Sequence, residues 1–538
     1  MSFELRDRDL LGRIGRLKTK GGTVETPAFM PVVNPVTQAI PPRRMRERFG
    51  CEIVITNSYI IRRNFGDHPG LKVHDLLDYD GVVMTDSGAY QILVYGGVEA
   101  TQEEIIGFQR GIGSDIAVIL DIPTGWDEPR SRVKWTVEET LRRAQAALPL
   151  IEGSDALWVG PVQGGAHLDL VERSARAVGA MPYQLHALGS PTEVMEGYRF
   201  PVLVDMIMAA KLNLPPERPL HLFGAGHPVM FSLAVALGCD LFDSASYALY
   251  AREGRYLTPR GTLRLKDLRY LPCSCPVCRE MDADGLRGLF KGERVRRLTE
   301  HNLHVCMAEM EVVKQAVAEG TLWELLESRS RGHPSLVSAL RRLKRYREAL
   351  ERGSPSFKGR GLFYFDHGGL SRPEITRHVA RLRERYAPPE GTRRLLLVTA
   401  PGRRPFGRSG QYRSLEESLE KLRDYRDRIH VCFYSAPFGV VPLELSETYP
   451  LSQFEMAEPV DRETLEFTAE RVHEYVADKA YEGVVLHSGE GPLDELVESR
   501  CREACEKTGK AFTVVSGERP WSQEALEGLV STLRDKPG

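Results

Sequence analysis

The sequence lacks a long apolar stretch, and its amino terminus lacks the features of a secretion signal. No hydrophobic run in the 538 residues is long enough to cross a bilayer. The first residues, Met-Ser-Phe-Glu-Leu-Arg-Asp, contain neither the basic region nor the apolar core of a signal peptide. We therefore expect a cytoplasmic protein that has no membrane partner.

The sequence also lacks a strong excess of charge of either sign. The formal net charge is −2, so the molecule as a whole is not a polycation that attracts nucleic acid. Basic runs occur locally, at 43–46, 291–297, 341–352 and 403–413. Each run alone is typical of a solvated helix face. Their recurrence leaves RNA open as a partner.

Cysteine is scarce, with nine in the chain, and most of these show no spacing typical of a disulfide framework. The exception is a C-x-C-x2-C cluster, Cys273, Cys275 and Cys278, which His301 follows along the chain. Three thiolates and one imidazole complete a tetrahedral zinc shell, and four protein ligands leave no position for water. The pattern predicts a structural zinc ion rather than a catalytic one, with His304 as an alternative fourth ligand.

The length and the hydrophobic pattern predict a barrel followed by further structure. A chain of 538 residues exceeds the usual size of one hydrophobic core. Runs that are apolar on both faces are typical of strands in a parallel sheet, and about eight of them in ~250 residues favour a (β/α)8 TIM barrel over an open doubly wound sheet. These runs are 28–32, 53–56, 82–85, 117–120, 157–160, 184–187, 220–223 and 240–242.

The remaining sequence predicts further parts. We expect a catalytic barrel domain at 1–335, including an inserted zinc-binding subdomain at about 270–320, and a helical linker at 336–360. The carboxyl-terminal part, 361–538, alternates strand and helix patterns and predicts a small α/β domain. Its strands are expected at 395–398, 431–434, 484–486 and 512–515, and its helices at 414–427, 463–479 and 493–508.

A polar residue or a glycine closes most of the predicted barrel strands. Because catalytic groups in such barrels lie at the carboxyl ends of the strands, these positions are expected to converge on one pocket. They are Asp86, Asp121, Gln163, Gly189, Gly224 and Asp243.

Two of these residues, Asp86 and Asp243, suggest a chemistry. An aspartate followed by serine after a strand is, taken alone, more often a helix cap. Two carboxylates in one pocket can instead divide the work, one as a nucleophile and the other as an acid and base. The reaction they suggest is displacement at a glycosidic carbon through a covalent intermediate.

Other residues near these strand ends suit a flat, polar ligand. Asp121 accepts hydrogen bonds, whereas the Gln163 amide donates and accepts, so together they suit the edge of a purine. Gly164 would allow the backbone to approach such a ring closely. Tyr90 and Phe223 are candidate stacking partners, with barrel core as the alternative for both.

These motifs resemble those of the tRNA-guanine transglycosylase family over roughly residues 10–330. The shared motifs are T-D-S-G-A-Y-Q, V-Q-G-G, F-G-A-G-H-P, L-F-D-S, and the cysteine cluster followed by E-H-N-L. The segment S-A-S-Y-A-L-Y-A-R-E-G-R-Y-L-T is similar to archaeal members. The segment that begins at Gly361 resembles the start of their carboxyl-terminal extensions.

The resemblance implies a role for each matching residue. Asp243 matches the nucleophile that attacks C1′ of the target guanosine, and Asp86 matches the general acid and base. The zinc ligands match Cys273, Cys275, Cys278 and His301. The substrate-binding positions match Asp121, Gln163, Gly164, Gly189, Tyr90, Phe223 and Ser87.

The resemblance also implies a substrate and partners. Archaeal members replace guanine 15 in the D-arm of tRNA with 7-cyano-7-deazaguanine (preQ0), towards archaeosine, and members form homodimers. Pro191 lacks a backbone N–H near the expected position of the nitrile, which leaves the recognition of that group open. We see no PUA domain in the sequence, so a separate PUA protein is a possible partner.

Three alternatives stay open at this point. The carboxyl-terminal region also resembles part of archaeosine synthase, a paralogue that acts after insertion. A non-catalytic tRNA-binding subunit is the second alternative, and a zinc-containing glycoside hydrolase is the third. The presence of both Asp86 and Asp243 favours the transglycosylase.

Overall fold

The computed structural model describes residues 3–89, 100–189 and 191–535. The chain divides into two compact units, Met1–Tyr346 and Arg347–Gly538. Within the described ranges, no helix combines the length and the apolar character needed to span a bilayer.

The first unit begins with a three-stranded antiparallel sheet that the sequence analysis does not predict. Its strands are β1 (Phe3–Asp9), β2 (Gly12–Thr19) and β3 (Gly22–Thr26), in that order. In β1 the five central side chains are exposed and mostly charged, so the strand shows no apolar run. A search for buried strands therefore misses this sheet.

Eight parallel strands then close into a barrel, each hydrogen-bonded to the next and the last to the first. The predicted TIM barrel is confirmed, and the open sheet is excluded because the last strand pairs with the first, Asp243 lying opposite Met30. The strands are β4 (Ala28–Val33), β5 (Ile53–Asn57), β6 (Val82–Asp86), β7 (Ile116–Val118), β8 (Leu157–Val162), β9 (Leu185–Leu188), β10 (Leu220–Leu222) and β11 (Leu241–Ser244).

Helices alternate with the barrel strands, as the fold requires. The described ones are Pro42–Phe49, Ser58–Phe65, Val73–Leu77, Gln102–Gly111, Arg130–Ile151, Leu168–Gly179, Thr192–Glu196, Phe200–Lys211, Phe231–Ala236 and Ser246–Arg252.

A buried ion pair joins three strands where the barrel closes. The main-chain oxygen of Asp240 accepts a hydrogen bond from Ala28 N at 2.9 Å, and its Oδ2 accepts one from Leu220 N at 2.8 Å. Arg13 donates Nε to Oδ1 at 2.7 Å and Nη2 to Oδ2 at 2.8 Å. Asp240 is fully buried, and these hydrogen bonds offset the free-energy cost of removing its charge from water. The pair fixes the strand that carries Asp243.

The interior of the barrel is apolar, and polar side chains follow at the carboxyl ends of its strands. Met84 and Leu241 belong to the interior cluster. Successive side chains of a strand alternate between its faces, so Asp86 and Asp243, two residues further on, point to the same side. The strand pattern therefore places both carboxylates above the apolar interior.

The rest of the first unit contains the cysteine cluster. An antiparallel hairpin, β12 (Arg255–Thr258) and β13 (Gly261–Arg264), precedes it. The longest helix of this region begins at Lys291 and ends at Glu319. The helices are Pro276–Glu280, Ala283–Gly288, Lys291–Glu319, Leu322–Ser330 and Pro334–Arg342.

The second unit is an α/β structure, as predicted. Its main sheet has the order β17-β16-β15-β19-β20, in which β17 is antiparallel to its neighbour and the other pairs are parallel. The main strands are β15 (Arg394–Thr399), β16 (Ile429–Ser435), β17 (Gly439–Pro442), β19 (Gly483–Ser488) and β20 (Ala511–Ser516), and β14 (Leu362–Tyr364) pairs separately with β18 (Phe454–Met456). The helices are Arg347–Gly353, Pro373–Glu384, Gly410–Leu419, Arg462–Asp478, Pro492–Thr508 and Gln523–Asp535.

Candidate active site

A pocket of about 1230 Å³ opens at the carboxyl ends of the barrel strands. Most of the site residues predicted from the sequence line it: Asp86, Asp121, Gln163, Gly189, Phe223 and Asp243. Ser87 and Gly164 are not among its lining residues. Tyr90 lies outside the described residues.

Asp243, the last residue but one of β11, is held through one oxygen. Its Oδ1 accepts a hydrogen bond from His221 Nε2 at 2.7 Å and another from Gly224 N at 2.8 Å. Gly224 has a φ of 67°, and a Cβ there would lie 2.5 Å from Thr192 Oγ1, so only glycine fits this turn. The side chain of Asp243 is 13% exposed, and it lines the pocket.

Asp86, the last residue of β6, is held through its Oδ2. This oxygen accepts hydrogen bonds from Asn57 Nδ2 at 3.0 Å and from Gly88 N at 3.2 Å. Burial, together with the negative charges of Asp121 and Asp243, raises the pKa of Asp86 to about 7 against the lowering effect of the Gly88 N–H. Asp86 can therefore gain and lose a proton near neutral pH.

Asp121 and Gln163 form a hydrogen-bonded pair across the tops of β7 and β8. Gln163 Nε2 donates to Asp121 Oδ2 at 2.6 Å, and Gln163 Oε1 accepts from Thr124 N at 3.2 Å. Burial raises the pKa of Asp121 to about 6, although the bond from Gln163 acts in the opposite direction. A Cβ on Gly189 would lie 2.3 Å from Gln163 Nε2, so glycine at 189 makes room for the amide. The pair offers fixed hydrogen-bonding groups to a flat ligand.

The remaining predicted positions differ in their surroundings. Phe223 is half-buried, and its ring meets His221 edge-on with 4.6 Å between centroids. Ser87 is fully buried, and its Oγ has no hydrogen-bond partner among the described residues. Gly164 lies tightly against the backbone of Val171. Of the three, only Phe223 lines the pocket.

Sequence reasoning missed two side chains that orient the carboxylates. Asn57 follows the predicted strand 53–56, is the last residue of β5 and caps the next helix, its Oδ1 accepting from Ile60 N at 3.0 Å. His221 lies inside the apolar run 220–223, as Leu-His-Leu. A polar residue within a run that is otherwise buried was the available signal, because a buried polar group needs a partner.

The cysteine cluster forms a second candidate site. Ligand atoms of Cys273, Cys275, Cys278 and His301 all lie within 4.8 Å of one another, so the group could hold a metal ion. His301 Nε2 donates to the Leu257 main-chain oxygen at 3.0 Å, which directs Nδ1 towards the thiols, 3.4 Å from both Cys275 and Cys278.

The alternative ligand His304 lies elsewhere. Its ring packs against Phe49, with 4.4 Å between centroids. The geometry thus favours His301, as the resemblance implied.

Comparisons with known protein families match both parts of the chain. The sequence profile of the family described as "Queuine tRNA-ribosyltransferase" matches residues 8–335. A second profile, described as a domain of unknown function, matches residues 375–533.

Individual relatives match most of the chain. A "tRNA-guanine(15) transglycosylase" of Aeropyrum pernix is 48% identical over 84% of this chain and 87% of its own length. Relatives with the same name are 45% identical in Pyrobaculum aerophilum, over 85% of this chain and 90% of the relative, and 43% identical in Haloferax volcanii, over 92% of both. The chain therefore belongs to the queuine tRNA-ribosyltransferase family and is a transglycosylase.

Proposed function

We propose that this protein replaces guanine 15 in the D-arm of tRNA with preQ0, in the biosynthesis of archaeosine. The observation that carries the proposal is that Asp86 and Asp243 line one pocket together with the Asp121–Gln163 pair. The names of the archaeal relatives support guanine 15 of tRNA as the target.

The first step of the proposed reaction releases guanine. A carboxylate oxygen of Asp243 forms a bond to C1′ of the target nucleoside, and the C1′–N9 bond breaks with its electron pair passing to the base. Asp86, in its protonated form, donates a proton to the departing base. The product is a covalent ester between Asp243 and the ribose, which conserves the bond energy for the next step.

The second step inserts the new base. Asp86, now ionised, takes the N9 proton of preQ0, and N9 forms a bond to C1′. The ester bond breaks, and its electron pair returns to the Asp243 carboxylate. Both steps use Asp86 in opposite protonation states, which its pKa of about 7 allows.

The base-binding residues are proposed to read the purine edge and faces. The Asp121 carboxylate suits the donor edge of guanine, and the Gln163 amide suits an acceptor. Phe223 would stack on the ring, and Gly189 would let the backbone approach. The roles of Tyr90, Ser87 and Gly164 remain predictions from the family resemblance.

Two arginines at the pocket support an RNA substrate. Arg252 and Arg260 line the pocket, are exposed, and form no salt bridge with any described residue. Free guanidinium groups in the pocket that contains Asp86 and Asp243 suit the phosphates that flank a target nucleotide. The target base must leave the base stack of the tRNA to reach the carboxylates in this pocket.

We further propose that the cysteine cluster binds a structural zinc ion. Three thiols and an imidazole match the preferred ligands of Zn²⁺. Such an ion would join the segment after β13 to the helix Lys291–Glu319, through Cys273, Cys275, Cys278 and His301. A homodimer, a separate PUA protein and a cytoplasmic location remain predictions.

Replacing the nucleophile tests the proposal most simply. We expect Asp243→Asn to lower guanine exchange into tRNA by at least about 10³-fold, because the amide cannot form the ester. Radiolabelled guanine incorporation into unmodified archaeal tRNA measures this, with preQ0 as competitor. The control is Asp155→Asn, an exposed carboxylate paired with Lys20. Activity of the Asp243 variant close to that of the wild type would refute the assignment.

The raised pKa of Asp86 predicts a pH-dependent change in stability. Unfolding returns this carboxyl from a pKa of about 7 to about 3.8, so stability falls as pH rises between these values. Asp86→Asn removes the charge, so its gain in thermal midpoint over the wild type should be larger at pH 8 than at pH 4. Asp155→Asn should show no such gain, because Lys20 lowers the pKa of Asp155. An equal effect of Asp86→Asn at both pH values would contradict the raised pKa.

Metal content tests the second site. We expect His301→Ala to lose the roughly one zinc ion per chain expected for such a shell, and to unfold at a lower temperature. His304→Ala is the matched control and should keep the ion, because that ring packs on Phe49. Elemental analysis of the purified proteins measures both, and full zinc content in the His301 variant would exclude this ligand.

A further inference from the structure

One buried histidine has no part in the reaction as proposed, yet it contacts the nucleophile. His221 lies in β10 with its side chain 0% exposed, and its Nε2 is 2.7 Å from Asp243 Oδ1. The ring is not among the lining residues of the pocket. Because the ring is fully buried and does not line the pocket, any effect on the reaction passes through a neighbouring side chain.

The contact fixes the position of one proton. A carboxylate oxygen accepts hydrogen bonds, so Nε2 of His221 must carry the hydrogen in this pair. Nδ1 of the same ring is buried and has no hydrogen-bond partner in the described ranges. The neutral tautomer with hydrogen on Nε2 satisfies the contact with Asp243.

Both donors to Asp243 act on the same oxygen. Oδ1 accepts from His221 Nε2 and from Gly224 N, at 2.7 and 2.8 Å. Oδ2 accepts no hydrogen bond from any described residue, and the side chain lines the pocket. The two oxygens of the carboxylate are therefore not equivalent.

We propose that His221 is a positioning residue that, with the Gly224 N–H, anchors Oδ1 and so makes Oδ2 the oxygen that attacks C1′. This inference rests on the proposed function. The anchored carboxylate cannot turn about its Cβ–Cγ bond without losing both hydrogen bonds, so Oδ2 stays aimed at the pocket.

The same hydrogen bonds act in the second step. Once Oδ2 has bonded to C1′, Oδ1 is the carbonyl oxygen of the ester and still accepts from His221 and Gly224. When N9 of the incoming base bonds to C1′, the Oδ2–C1′ electron pair returns to the carboxylate. Donors already in place on Oδ1 stabilise the negative charge that reappears there.

His221 also contacts Phe223, and the effect of this contact on the kinetics must be distinguished from that of the hydrogen bond to Asp243. The two rings meet edge-on at 71°, so a smaller side chain at 221 could loosen the proposed stacking ring. A disturbed Phe223 would weaken base binding and raise KM for guanine. Loss of the hydrogen bond to Asp243 would lower kcat instead.

The experiment compares His221→Gln with His221→Phe. A glutamine amide nitrogen can occupy the place of Nε2 and donate to Oδ1, whereas phenylalanine fills the space with no donor. We expect His221→Phe to lower kcat about 10- to 100-fold, the usual range for a hydrogen bond to a charged group, with KM for guanine changed less than about 2-fold. His221→Gln should recover much of this loss.

Single-turnover formation of the protein–RNA adduct, followed on denaturing gels, should be slower in His221→Phe than in His221→Gln. Wild-type kcat in a folded His221→Phe protein would overturn the inference. So would equal losses in both variants that follow their thermal midpoints or their tRNA affinities, since these indicate a structural role.

A wild-type protein without exchange activity would contradict the proposed function. A second measurement, which does not depend on activity, then tests whether His221 and Asp243 interact. A double-mutant cycle of unfolding free energies, with His221→Phe and Asp243→Asn, should show coupling between the two sites. Additive effects would overturn the inference.

Discussion

The candidate site depends on the closure of the barrel. Asp86 and Asp243 belong to β6 and β11, and they face one pocket because β11 returns to pair with β4. The buried pair of Asp240 with Arg13 holds this closure three residues before Asp243. In an open sheet the same residues would lie along an edge, without a shared pocket. The proposed chemistry therefore depends on the closure of the barrel. The residues that hold this closure, Arg13 and Asp240, lie far from Asp86 in the sequence.

Within the pocket, the two carboxylates are treated differently by their neighbours. Asp243 accepts a short hydrogen bond from a buried imidazole and a second bond from the Gly224 backbone, both on one oxygen. Asp86 accepts longer bonds from Asn57 and Gly88, and burial together with nearby negative charge raises its pKa. The same side chain is thereby suited to the two tasks proposed for it: an oriented nucleophile and a group that exchanges protons near neutral pH.

Much of this arrangement could be predicted from the sequence, because buried parallel strands and their polar ends leave a clear pattern. The run 53–56, for example, corresponds to β5 (Ile53–Asn57). The strand β1 was missed because its five central side chains are all exposed and mostly charged. His221 was missed because its partner, Asp243, is brought near by the pairing of β10 with β11 and not by sequence spacing. A histidine within an apolar run indicates a buried polar group, but the sequence does not show which residue accepts its hydrogen bond, so the orientation of the carboxylates needed the structure.

The most direct test is to identify the residue that holds the ribose. The protein would be incubated with unmodified archaeal tRNA without added base, denatured, digested with protease and nuclease, and analysed by mass spectrometry. The account predicts a ribose-linked nucleotide on the peptide that contains Asp243, and none in the Asp243→Asn protein. A linkage at Asp86, or base exchange without any covalent adduct, would contradict it.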